Sequence, residues 1–160
     1  MSFDIEEQYD KIYRYCYFKL HSRELAEDVT QETFLRYLEH YNCITTVSAL
    51  KYLYTIARNL CVDEYRKPRT APMDESMPDY TMEETLVTNL TVRTALSKLA
   101  PDEQELLLLR YVNEVPVSAL SKIYGLSRFA IYRRLTAASN RFREELRKED
   151  GLPWINGKMN

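Results

Sequence analysis

Apolar residues return at steps of three and four along most of this chain, the period of a helix with one buried stripe. Helices are predicted over about 4–20, 23–41 and 47–67, then over about 85–99, 102–113, 117–124 and 128–148. In the last of these, Ile131, Leu135, Ala138 and Phe142 fall on one side at i, i+4, i+7 and i+11, behind Ser127 as N-cap. Phe129, Arg133, Thr136 and Asn140 point the opposite way with Tyr132 beside them, and Arg128, Arg134 and Arg141 flank the stripe. Immediately upstream, Leu120 and Ile123 mark a short helix that stops at Gly125. Helix, glycine turn, N-cap serine and basic helix together predict a helix-turn-helix whose second helix enters a DNA major groove.

The break in periodicity comes at residues 68–84, PRTAPMDESMPDYTMEE, which hold three prolines and five acidic residues without an apolar stripe. This composition predicts a flexible acidic linker. The chain is therefore expected to divide into an N-terminal three-helix-type bundle at 1–67, the linker at 68–84, a four-helix helix-turn-helix domain at 85–150 and a tail at 151–160. With three glycines and six prolines in 160 residues, the fold class is all-α.

Charge sharpens the picture. The chain carries a formal net charge of -2, yet residues 85–160 hold 12 basic and 8 acidic side chains, and GLSRFAIYRRLTAASNRFR at 125–143 has five arginines and no carboxylate. A basic run by itself is equally a solvated face; the Gly-x-Ser turn and the apolar stripe beside it favour a nucleic-acid surface. Cys16, Cys43 and Cys61 form no CxxC pair, and His21 and His40 have no close cysteine partner, so no metal site or disulfide framework is expected. No nucleophile with an adjacent base and no phosphate loop stands out, and neither an enzyme activity nor a cofactor is expected. The N-terminus is polar and no run approaches the roughly 18 apolar residues of a membrane span, which predicts a cytoplasmic protein without membrane insertion. The tail with Trp154 is expected to be loosely ordered.

Two further faces emerge in the first half. In LAEDVTQETFLRYLEHY, residues 25–41, Asp28, Gln31, Glu32 and Leu35 share one face, with Ala26, Thr33, Phe34, Tyr37 and Tyr41 roughly opposite. In YLYTIARNLCVDEYRK, residues 52–67, Leu53, Ile56, Ala57 and Leu60 share an inward side. Tyr52, Thr55, Asn59 and Arg66 face out, with Arg58 and Asp63 at their edges. Aromatic, amide and guanidinium groups on one face suit a single strand with splayed bases, and equally suit an ordinary solvent face with an Arg58 and Asp63 interaction.

AEDVTQETF followed by YLYTIARNLCVDEYR resembles conserved region 2 of bacterial sigma factors, and ALSKLAPDEQELLLLRYVNEVPVSALSKIYGLSRFAIYRRL resembles their region 4. Both regions in this order, with a short connection and nothing else, resemble a sigma factor of the extracytoplasmic-function type. The resemblance implies a promoter-recognition subunit of RNA polymerase that performs no covalent chemistry and takes no small-molecule substrate. By that likeness Asp28, Gln31, Glu32 and Leu35 dock on core polymerase. Tyr52, Arg58, Asn59, Asp63 and Arg66 engage the melted -10 element, and the 42–49 connection captures a flipped base. Arg128, Phe129, Tyr132, Arg133 and Arg134 read the -35 element. An anti-sigma protein is a further implied partner. The chain departs from the family pattern at Tyr52, commonly tryptophan, and at Pro116, Ala119 and Ala137. The alternative to a sigma factor is a helix-turn-helix repressor or activator that dimerises through its N-terminal bundle.

Overall fold

The computed structural model describes residues 4–40, 45–68 and 90–150, and these form seven α-helices and one π-helical turn. The first three helices are α1 (Ile5–Leu20), α2 (Arg23–Glu39) and α3 (Thr46–Arg66). They are followed by α4 (Leu90–Ser97), α5 (Pro101–Leu107), α6 (Val117–Tyr124) and α7 (Arg128–Asp150). No strand occurs among the described residues. Linker residues 69–84, tail residues 151–160, Tyr41, Cys43 and the first part of the 42–49 connection lie outside them.

Local capping explains where the first helices begin. The Asp4 carboxylate accepts from the Glu6 N–H at 3.0 Å, the Ser22 hydroxyl from the Leu25 N–H at 3.2 Å, and the Thr45 hydroxyl from the Ser48 N–H at 3.0 Å. Each satisfies an N–H that the first helical turn leaves without a carbonyl partner. Thr45 sets the start of α3 one residue ahead of the expected position. The α1–α2 corner is made by His21, which closes α1 at φ 56 and donates its N–H to the Tyr17 carbonyl.

By contact pattern the chain falls into two compact units: Met1–Pro78 with Ser118–Gly125, and Asp79–Val117 with Leu126–Asn160. In the first, α1, α2 and α3 each pack on the other two. Ile12, Tyr15, Cys16 and Leu20 of α1 meet Val29, Phe34 and Tyr37 of α2 and Leu50, Leu53, Tyr54, Ala57 and Cys61 of α3 in the buried interior. Tyr15 and Tyr54 meet edge to face, 5.6 Å between ring centroids and 85° between planes, the arrangement the ring quadrupole favours. Thr30 and Thr33, both buried, donate their hydroxyls to the Ala26 and Val29 carbonyls at 2.6 and 2.7 Å, so neither brings an unsatisfied group into the core. Ile56 and Leu60, expected inward, are only half-buried, and the α3 stripe centres instead on Leu53, Ala57 and Cys61.

In the second unit α7 packs against α4 and α5. Leu99, Leu107 and Ala138 form its core, with Leu96 and Phe142 against it. The expected single helix over 102–113 is an α-helix only to Leu107, after which Leu108–Val112 widen into a π turn. Its mark is the Asn113 N–H, which donates to the Leu108 carbonyl five residues back at 2.9 Å. The turn follows directly on the apolar run Leu106–Leu109, in which leucine at every position leaves no single stripe to mark the helical phase.

Candidate nucleic-acid and partner interfaces

The turn into α7 is built by two residues. Gly125 sits at φ +67, in the left-handed region, and a Cβ there would meet nothing within 4 Å. Its requirement is therefore one of backbone conformation, since an L side chain is disfavoured in that region whatever the space around it. Two residues later the Ser127 hydroxyl accepts from the Ala130 N–H at 3.1 Å and the Ser127 carbonyl from the Ile131 N–H at 3.0 Å, which starts α7.

From that start the phase of α7 is fixed by burial of Ile131, Leu135 and Ala138. Arg128, Phe129, Tyr132, Arg133, Arg134, Thr136, Asn140 and Arg141 are all exposed, as the periodicity predicts. Phe129 is 79% and Tyr132 55% accessible. Arg128, Arg133, Arg134 and Arg141 make no ion pair among the described residues, whereas the C-terminal turns of the same helix carry Arg147–Glu144 at 2.5 Å and Lys148–Glu145 at 3.6 Å. Arg143 is intermediate in kind, donating to the Asn140 side-chain oxygen at 3.0 Å. The first half of α7 thus presents guanidinium groups and two aromatic rings with no carboxylate among them. Such a surface can donate to phosphates and to base-edge acceptors.

On α2 the expected outward stripe is also outward: Asp28, Gln31 and Leu35 are exposed and Glu32 is half-buried. Glu32 accepts from Arg36 Nε at 2.8 Å, one helical turn on, a surface pair of small energetic weight. Leu35 is 57% accessible, and Leu38, which the sequence reading passed over, is 61% accessible on the same face. The signal was present, since Leu38 continues the stripe by another step of three from Leu35. Two exposed leucines beside Asp28 and Glu32 give this face an apolar centre with an acidic border, the composition of a protein-docking surface.

The α3 set is less uniform. Asn59, Asp63 and Arg66 are exposed. Tyr52 is half-buried, its ring 5.9 Å from that of Tyr37, because the first turns of α3 lie against α2. Arg58 is also half-buried, with its guanidinium 4.6 Å from the ring centroid of Tyr124, which belongs to the same compact unit. At that distance the cation is attracted to the face of the ring. Among the described residues no cluster of histidine, cysteine or carboxylate groups could hold a metal ion, and no helix is long and apolar enough to cross a membrane. Cys16 and Cys61 are buried and fill the interior of the first unit.

Comparison with known proteins places both halves. Residues 5–70 match the model of Sigma-70 region 2 and residues 95–144 that of Sigma-70, region 4. The chain belongs to the sigma-70 family of RNA polymerase sigma factors. The chain is similar to sigma factors of the extracytoplasmic-function type. It is 32% identical over 139 residues to the sigma factor BldN of Streptomyces coelicolor, covering 78% of this chain and 52% of BldN. It is 27% identical over 166 residues to SigW of Bacillus subtilis, covering 91% of this chain and 87% of SigW. The chain therefore spans about half the length of the first relative and most of the second. The sigma factor RpoE of Bartonella quintana, solved in complex with the anti-sigma factor NepR, shares the fold with a TM-score of 0.60 at 18% identity, over 87% of this chain and 91% of that one.

Because the Gly125 site is open, replacement by alanine should destabilise the protein by about 1–2 kcal/mol through backbone strain alone. Gly125→Asn should cost less, as asparagine tolerates the left-handed region better. Denaturant midpoints of the two variants against the parent check both the magnitude and the order.

Proposed function

We propose that this sigma factor binds core RNA polymerase through the α2 face, reads the upstream -35 duplex with the first half of α7, and holds the melted -10 strand with the outward residues of α3. The observation that carries the reading is the run of exposed arginines on α7 without a carboxylate partner among the described residues, starting at a capped helix N-terminus behind a glycine turn. Exposed guanidiniums left unpaired on a chain of net charge -2 add little to folding, and a polyanion is the partner that uses them.

Exposure on the helix faces and the likeness to the family support an assignment by residue. Arg128, Arg133 and Arg134 supply phosphate and base-edge contacts, with Phe129 and Tyr132 between them. Asn59, Asp63 and Arg66 form the exposed part of the strand-binding face, and Tyr52 and Arg58 complete it from positions where neighbouring rings support them. Asp28, Gln31, Glu32 and Leu35, extended by Leu38, dock on the polymerase. The protein acts inside the cell by binding alone, without catalysing a covalent step. A protein inhibitor of the anti-sigma kind, such as the one bound to the Bartonella relative, would cover the same α2 and α3 faces.

The direct test is transcription in vitro from a genomic fragment library by core polymerase with and without the full chain. Selective initiation at a shared two-part promoter is expected only with the protein present; equal, unselective initiation in both cases rejects the reading. Gel shifts separate it from a free-standing repressor, which would bind a palindrome tightly without polymerase.

Two substitutions address the faces separately. Arg133→Ala should weaken discrimination at one position of the upstream element by about 1–3 kcal/mol if Arg133 makes a bidentate base contact, while leaving association with core enzyme unchanged. Replacing Asp28 and Glu32 together by alanine should instead lower core-enzyme affinity and reduce output from all promoters by a common factor, measured by fluorescence titration with core polymerase.

A further inference from the structure

Phe129 is the most accessible of the large apolar side chains among the described residues, and Tyr132 follows it one helical turn on. Neither contributes to the hydrophobic interior, which α7 reaches from its other side through Ile131, Leu135 and Ala138. Their neighbours on the exposed face are Arg128, Arg133 and Arg134, none ion-paired among the described residues. An apolar ring held in water between cations gains nothing for the free protein. It becomes favourable when a partner supplies anionic groups for the guanidiniums and an apolar group for the ring.

Duplex DNA meets both conditions in its major groove. Phosphates line the walls, and the floor carries hydrogen-bonding edges of every base together with one apolar substituent, the C5-methyl of thymine. Side chains in the first turns of a helix seated in that groove are the ones that reach the floor. We infer that Phe129 and Tyr132 read thymine methyl groups in the upstream promoter element, so that this element contains thymine opposite the first turns of α7. The inference rests on the reading of α7 as the duplex-reading helix given above and adds the chemical group that the aromatic residues recognise.

Uracil provides a clean probe, because it differs from thymine only by that methyl and keeps the same pairing edge. Duplexes randomised across the upstream element are first selected on core polymerase carrying the full chain, and each thymine of the preferred sequence is then replaced singly by uracil. At one or two thymines the replacement should weaken holoenzyme binding about fourfold, the equivalent of withdrawing one buried methyl group. Phe129→Ala should abolish the uracil effect at one of these positions and Tyr132→Ala at its neighbour, with helix content unchanged by circular dichroism. A selected element without thymine, uracil that is neutral at every position, or a uracil effect that survives both substitutions would overturn the inference while leaving α7 as the duplex reader. Loss of core-enzyme binding by Phe129→Ala would place a protein on this face and overturn it too. Selection that yields no upstream preference at all would remove the duplex-reading role of α7 and this inference with it.

Discussion

A helix that buries one stripe has only the opposite stripe left for partners, and this constraint governs each candidate surface described above. On α7 the burial of Ile131, Leu135 and Ala138 leaves no freedom in where Phe129, Tyr132 and Arg133 point. On α2, burial of Ala26, Val29, Thr33 and Tyr37 turns Asp28, Gln31, Leu35 and Leu38 outward. Core packing and the composition of the exposed stripe are therefore set by the same helical phase. A substitution that shifted the buried stripe by one residue would rotate the recognition surface by about 100°.

Charge is distributed by a second rule. Many cations of the described helices sit one turn from a carboxylate: Lys11 by Glu7 at 2.9 Å, Arg36 by Glu32 at 2.8 Å, Lys67 by Glu64 at 3.0 Å, and Lys148 by Glu145 at 3.6 Å. Such pairs stabilise a helix by only about 0.2–0.5 kcal/mol each, so their absence from the first half of α7 costs the fold little. Its consequence is functional. An arginine already engaged by a carboxylate must surrender that partner to bind phosphate, whereas Arg128, Arg133 and Arg134 have none to surrender among the described residues.

The sequence made the azimuth of each helix legible and left its surroundings obscure. The outward faces of α2 and α7, the Gly125 turn and the Ser127 cap could all be read because each depends on residues within a few positions of one another. Tyr52 shows the limit. It shares an azimuth with Asn59, seven residues on, yet its ring packs near Tyr37 while Asn59 is exposed, because periodicity encodes direction around the axis and not the height at which a neighbouring helix ends. Arg58 likewise meets a tyrosine 66 residues away in sequence, a contact no local pattern contains. The π turn at Leu108–Val112 was hidden for the opposite reason, since unbroken leucines carry no phase to read.

These same features bear on how strongly the protein holds DNA unaided. Non-specific affinity grows with the number of phosphates neutralised, and α7 offers only a few exposed arginines on a chain whose total charge is -2. The α3 face exposes Arg66 but also Asp63, which would repel a phosphate backbone as much as Arg66 would attract it. Neither face is basic enough to capture DNA tightly in isolation. On the reading proposed above, with both contacts joined on one polymerase, each would raise the effective concentration of the other, and two weak interactions would become one selective grip without any new bond. On that reading a modest charge suits a subunit that releases promoters when polymerase leaves, and an added basic patch would trade selectivity for indiscriminate binding.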